Sequence, residues 1–287
     1  MRPRRMQELR RDKKAVSTAI SSVIMIAAVM VMVMVAISYA STILDSRLAE
    51  NEFTSCKQFM LATGLQVDNV AWTIGRTQTI SFSSRYGNVQ FLTLALNYSV
   101  QMHSSSGWET VLSNVTTGMV LFNMPINSYN LGNNYYERIL PSQNSAFLQE
   151  GPSASVSQVF VHEIIPLNNE NYLRIVAAPS VRVFNSSISG PTQGTQTLYC
   201  KFFLPSLQRS ATNPYLSQSI TMVGGEVTKV VRSGIDKVNM TVSFPSASSG
   251  FNSTFFGFDR LTESKSLPAG SVVEFYIGKV TVSQGLV

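Results

Sequence analysis

Charge is scarce in this chain: Asp, Glu, Lys and Arg supply 13% of its 287 residues, about half the usual share of a soluble domain. Cysteine and histidine are scarcer, with only Cys56, Cys200, His103 and His162. Two isolated histidines and no Cys-x-x-Cys pair fall short of any zinc-ligand spacing. Neither a Gly-x-Ser-x-Gly elbow nor a Walker loop occurs, and Gly224-Gly225 reads as a turn between strands rather than a phosphate cradle. The expectation is a protein without metal or cofactor that is not an enzyme.

The net charge of +6 and pI near 9.4 suggest a nucleic-acid binder only until the charge is located. Residues 1–14 hold seven basic groups against Glu8 and Asp12, which is +5 of the +6. The remaining body is balanced, without the clustered positive charge a phosphate backbone requires, so no nucleic-acid partner is expected.

From Ala15 to Leu44 there is no charged residue at all, and Val23–Ile37 is wholly apolar. About 20 such residues cross a ~30 Å hydrocarbon core, so this run of 30 can span a bilayer. Its central part has no polar stripe, unlike a surface helix. Basic residues precede it and balanced charge follows. The positive-inside rule then expects a cytoplasmic N-terminus and a body outside the cell from about Asp45.

Beyond Leu44 the pattern turns amphipathic, with Leu48, Phe53, Cys56, Phe59, Met60 and Leu65 at helical spacing. Gly64 reads as a C-cap, giving one helix over about 16–63. From about Trp72 the period becomes two: Ile80 and Phe82, a turn at Arg85–Asn88, then Leu92, Leu94, Leu96, Tyr98 and Val100. Val238, Met240, Val242 and Phe244 repeat the pattern. Val273, Phe275 and Ile277 share one parity and Val280 and Val282 the other, which predicts a β-bulge at Gly278. Turn-rich gaps at 185–194, 246–252 and 267–270 separate strands. The fold class expected is α+β: a long N-terminal hydrophobic helix followed by a mostly antiparallel β-sandwich body.

Lys13-Lys14-Ala15-Val16-Ser17-Thr18-Ala19-Ile20 resembles the leader junction of archaeal type IV pilins and other class III signal peptides. The resemblance covers about residues 10–40. It implies cleavage between Ala15 and Val16 by a prepilin-peptidase-like enzyme that recognises Lys13 and Lys14. The helix beginning at Val16 would anchor the protein in the lipid bilayer and later pack against copies of itself in a filament core. Thr18 stands where many archaeal members carry Pro. Ile20 stands where bacterial pilins carry the Glu that pairs with a neighbour's amino group. Two other fates are an uncleaved anchor and ordinary secretion with a cut after Ser38-Tyr39-Ala40, although secretory signals use only 7–15 apolar residues. Small residues at Ser17/Ser21, Ala15/Ala19 and Ala36/Ala40 fit close helix approach, a spacing that chance also supplies.

The organisation expected is a leader over 1–15, the hydrophobic helix with its amphipathic extension over 16–70, and an extracellular β-rich domain over 71–287 with a sub-boundary within 123–157. The function implied is a pilin-like filament subunit at the cell surface. The alternative is a membrane-anchored extracellular binding or accessory protein that does not polymerise. Outside the cell Cys56 and Cys200 could form a bridge; otherwise they are two buried thiols. Five Asn-x-Ser/Thr sequons, at Asn97, Asn114, Asn185, Asn239 and Asn252, are candidate glycosylation sites. Asn97 and Asn239 should face outward from strands, and Asn185 and Asn252 should sit in turns.

Overall fold

A computed structural model describes residues 4–142, 146–189, 196–210 and 218–284; the side chains of 4–19, 188, 189 and 196 lie outside that description. The chain forms two compact units, residues 1–50 and 51–287. Helix α1 runs over Arg4–Ala71. In the first unit it is the whole of the described structure, and every residue from Ile20 to Leu48 is exposed.

The second unit opens with the last turns of α1. Phe53, Cys56, Met60, Thr63, Val67 and Val70 recur three and four apart and are buried. Thr63 satisfies its buried hydroxyl by donating to the Phe59 carbonyl at 2.9 Å. Leu65, read from the sequence as part of that stripe, lies on the other side and is 48% exposed.

Gly64 is not a C-cap: the helix continues through it for seven more residues, to Ala71. Glycine inside a helix costs ~1 kcal/mol relative to alanine. Here its missing side chain lets a strand approach, since a Cβ would stand 2.7 Å from Val159 Cγ2. The Ser157 hydroxyl donates to the Gly64 carbonyl at 2.6 Å through that gap.

The strands are β1 (Thr77–Ser81), β2 (Asn88–Ser104), β3 (Gly107–Pro125), β4 (Tyr135–Leu140), β5 (Leu148–Glu150), β6 (Ser157–Glu163), β7 (Tyr172–Pro179), β8 (Val181–Ser189), β9 (Gln196–Arg209), β10 (Ser219–Ser243) and β11 (Thr262–Gln284), with a one-turn helix α2 (Ser253–Phe256) before the last. They form one sheet in the order β4-β6-β7-β3-β2-β10-β11-β9-β8-β5, with β1 paired to β10 where β2 does not reach. The sheet is mostly antiparallel and open; β11–β9 and β5–β8 are its parallel pairs. It curls, because β9 meets β3 across three intervening strands: the Leu207 amide donates to Thr117 Oγ1 at 2.9 Å and Ser206 Oγ to the Thr116 carbonyl at 2.8 Å. The stretch 123–157 holds β4 and β5, the two ends of this order.

Two cores result. One is enclosed by the sheet and includes Tyr98, Met102, Phe160, Phe202, Phe255 and Phe275. The other lies under α1 and includes Phe53, Met60, Phe122, Val159, Ile175 and Val280. Strands β3, β6 and β7 feed both by alternation, which is why β6 is buried along its full length.

The same arrangement corrects the bulge expected at Gly278. Pairing of β11 with β9 runs unbroken from Val272–Tyr199 to Val282–Arg209. Val273 and Phe275 enter the enclosed core while Val280 and Val282 face α1, so the parity change marks a change of core with no slip in the strand. The extra residue sits opposite, in β10 between Gly224 and Val227. Gly224-Gly225 is thus inside a strand and not in a turn. Gly224 and Gly278 leave room for the end of α1: a Cβ on either would overlap the Thr73 or the Ala71 carbonyl oxygen.

Two expected gaps also change. Residues 267–270 form an insertion within β11, opposite the single residue Asp236. Asn185 lies inside β8, paired with Cys200, instead of opening a turn. The 246–252 gap is a loop as expected, and 190–195 fall outside the described residues.

Candidate functional site

The exposed helix is the first candidate. Between Ile20 and Leu48, seventeen large apolar side chains, among them Ile24, Met32 and Val35, are exposed. Burial of such a side chain stabilises by ~1.5–3 kcal/mol. Leaving all of them in water would forgo about 25 kcal/mol or more, beyond the ~5–15 kcal/mol net stability of a typical domain. The segment has the length and composition of a membrane span, with a mean hydropathy of 2.8 and none of its best window buried. Lys13, Lys14, Ala15 and Val16 have helical backbone, and their side chains lie outside the described residues.

The second candidate is a groove of about 540 Å³ in the unit 51–287, between α1 and β4. Phe53, Leu61, Tyr129, Leu131 and Ile139 give it apolar walls, and Lys57 and Glu137 meet inside it. Lys57 Nζ lies 2.8 Å from the Glu137 carboxylate, which also accepts from the Tyr135 hydroxyl at 2.9 Å. Burial would raise the Glu137 pKa, but the Lys57 and Tyr135 hydrogen bonds outweigh it and hold the carboxyl below its usual range. The volume suits a small ligand. The ion pair is satisfied within the protein.

A third feature fixes the loop after β1. The Glu52 carboxylate accepts from Ser84 Oγ at 2.6 Å and from the backbone amides of Arg85, Tyr86 and Gly87 at 2.8, 3.0 and 3.2 Å. The turn is legible locally in the sequence, whereas its tie to the helix joins partners more than 30 positions apart. At the other end of this helical stretch, Asp68 accepts from Trp72 Nε1 at 2.7 Å and pairs with Arg182 at 2.9 Å.

The sequon asparagines occupy different settings. Asn97 and Asn114 are neighbours on β2 and β3, with Asn97 Nδ2 donating to Asn114 Oδ1 at 3.2 Å. Asn97 is half-buried and its own Oδ1 has no partner. Asn114 is exposed and its φ of 58° is left-handed, which asparagine tolerates. Asn239 accepts from Ser264 Oγ at 2.7 Å, Asn185 is exposed on β8, and Asn252 caps α2 by accepting from the Phe255 amide at 3.2 Å.

Cys56 and Cys200 are free and buried, in the α1 core and the enclosed core respectively. Burial pushes both thiols up to about 12. His162 is buried in β6, stacked on Phe255 at 5.3 Å. His103 is at the β2–β3 hairpin with Nδ1 2.7 Å from Asp236 Oδ1. Among the described residues, no three of His, Cys, Asp and Glu gather closely enough to hold a metal ion. No protein-family model, curated protein or solved structure matches this chain.

Proposed function

We propose that the chain is a type IV pilin-like structural subunit of an archaeal surface filament. The uncharged helix from Val16 anchors the precursor in the membrane with the N-terminus cytoplasmic. A prepilin-peptidase-like enzyme removes residues 1–15, and the freed helices pack with those of other subunits in the filament core. The β-rich body, read as a curled two-layer sandwich, forms the outer surface. The observation that carries this reading is the run of sixteen exposed large apolar side chains from Ile20 to Leu44, on a stretch of helix without charge that follows a basic leader. In water such a surface is untenable, and both lipid and a bundle of like helices cover it.

A second reading, an anchored extracellular protein that does not polymerise, is favoured by one residue. Ile20 offers no carboxylate to a neighbour's amino group. Electron microscopy of material sheared from producing cells, with antibody raised against the body, separates the two. The first reading expects labelled filaments. Label confined to the membrane fraction would replace it with the second.

A further inference from the structure

Strands β3, β2, β10 and β11 lie side by side, and cross-strand partners share a face. One row across them is Trp108, His103, Lys237 and Ser266. The next on the same face is Thr110, Gln101, Asn239 and Ser264. The third runs through Thr241 and Thr262, whose hydroxyls are 3.0 Å apart. Trp108 is 49% exposed although its ring is held in place, with the His103 ring at 5.1 Å and Lys237 Nζ at 6.0 Å from its centroid. His103 is itself fixed by Asp236. Four strands at ~4.8 Å spacing make a platform about 14 Å wide, two rows deep throughout and three rows deep on β10 and β11.

We propose that this face binds a neutral polysaccharide, with Trp108 as its stacking residue. The chemistry of the three rows selects that ligand class. Apart from the Trp108 ring and the Lys237 ammonium, their side chains are hydroxyls, amides and an imidazole, which both donate and accept hydrogen bonds as sugar hydroxyls do. Several are ordered by one another: Ser264 Oγ donates to Asn239 Oδ1 at 2.7 Å, and Gln101 Nε2 donates to Thr110 Oγ1 at 3.5 Å. The exposed indole offers a flat apolar surface to the C–H face of a pyranose ring. Lys237 carries the only formal charge in the three rows, so a phosphate backbone finds no cluster of cations. A protein interface would need an apolar centre, whereas the single large apolar group here stands at one end.

The inference rests on the reading above only in requiring the body to be displayed outside the cell. The test is native-gel affinity electrophoresis of the full chain in detergent micelles, with dextran, laminarin or galactomannan in the gel, and alginate as an acidic probe. Retardation by at least one neutral polysaccharide is expected, weakened at least tenfold in Trp108→Ala and retained in Trp108→Tyr. Circular dichroism of the variants checks that the sheet is intact. No retardation by any neutral probe, retardation by alginate alone, or undiminished binding in folded Trp108→Ala overturns the proposal. Display is measured separately, by protease access to the body on intact cells, so failure of binding and failure of display are distinguishable.

Discussion

Protonation of His162 should make the body lose stability in mild acid. The imidazole lies in β6, 5% exposed, between Phe255 and the edge of Tyr136 at 5.5 Å, and opposite Arg174 on β7. Burial, reinforced by the Arg174 charge, pushes its pKa down to about 4; the Thr254 and Tyr135 backbone groups oppose this only in part. An unfolded chain takes up the proton near ~6.5, while the folded chain resists it until about 4. The folded pKa is the lower one, so the contribution is complete above ~6.5 and is lost as pH falls from there toward 4. At ~1.4 kcal/mol per tenfold change in proton affinity, the loss is up to about 3 kcal/mol. Urea unfolding of the full chain in detergent at pH 7.5, 6.0, 5.0 and 4.5, beside His162→Gln, isolates it, since all other groups titrate alike in both proteins. The wild-type advantage should shrink steadily across that interval. Equal pH slopes in the two proteins would refute the assigned environment of His162.

Removing the Glu52 carboxylate should free the turn at 84–87. Glu52→Ala is expected to cost ~2 kcal/mol in urea unfolding, because several charge-assisted hydrogen bonds are lost together. Gly224→Ala should cost ~1–3 kcal/mol by overpacking against the Thr73 and Val70 carbonyls, read as a lowered melting temperature. Iodoacetamide at pH 8 should leave Cys56 and Cys200 unmodified in the folded protein and alkylate both after denaturation, since buried thiols ionise only near 12. Mass spectrometry of unreduced protein finding a bridge between them would contradict their separate cores.

The helix and its apolar span were legible because charge is absent from 15–44 and nothing else needs to be known. The period-two strands and the Arg85–Asn88 turn were legible for the same local reason. What escaped depends on partners distant in sequence. Gly64 has the look of a helix stop and is instead a contact point for Ser157 and Val159, more than 90 residues on. The parity change near Gly278 has the look of a bulge, yet it records a strand that leaves one core and enters another. Strand order, the two parallel pairs and the strand setting of Asn185 arise from long-range pairing that no local pattern encodes. The Trp108 row joins three distant segments, so only the register brings it together.

The pilin-like function proposed above requires the helix from Val16 to be an assembly element released from its basic leader. Mass spectrometry of the N-terminal peptide of the native protein tests it most directly. Cleavage at the leader junction gives a first residue of Val16. A protein beginning at Met1 or at Ser41 would contradict it.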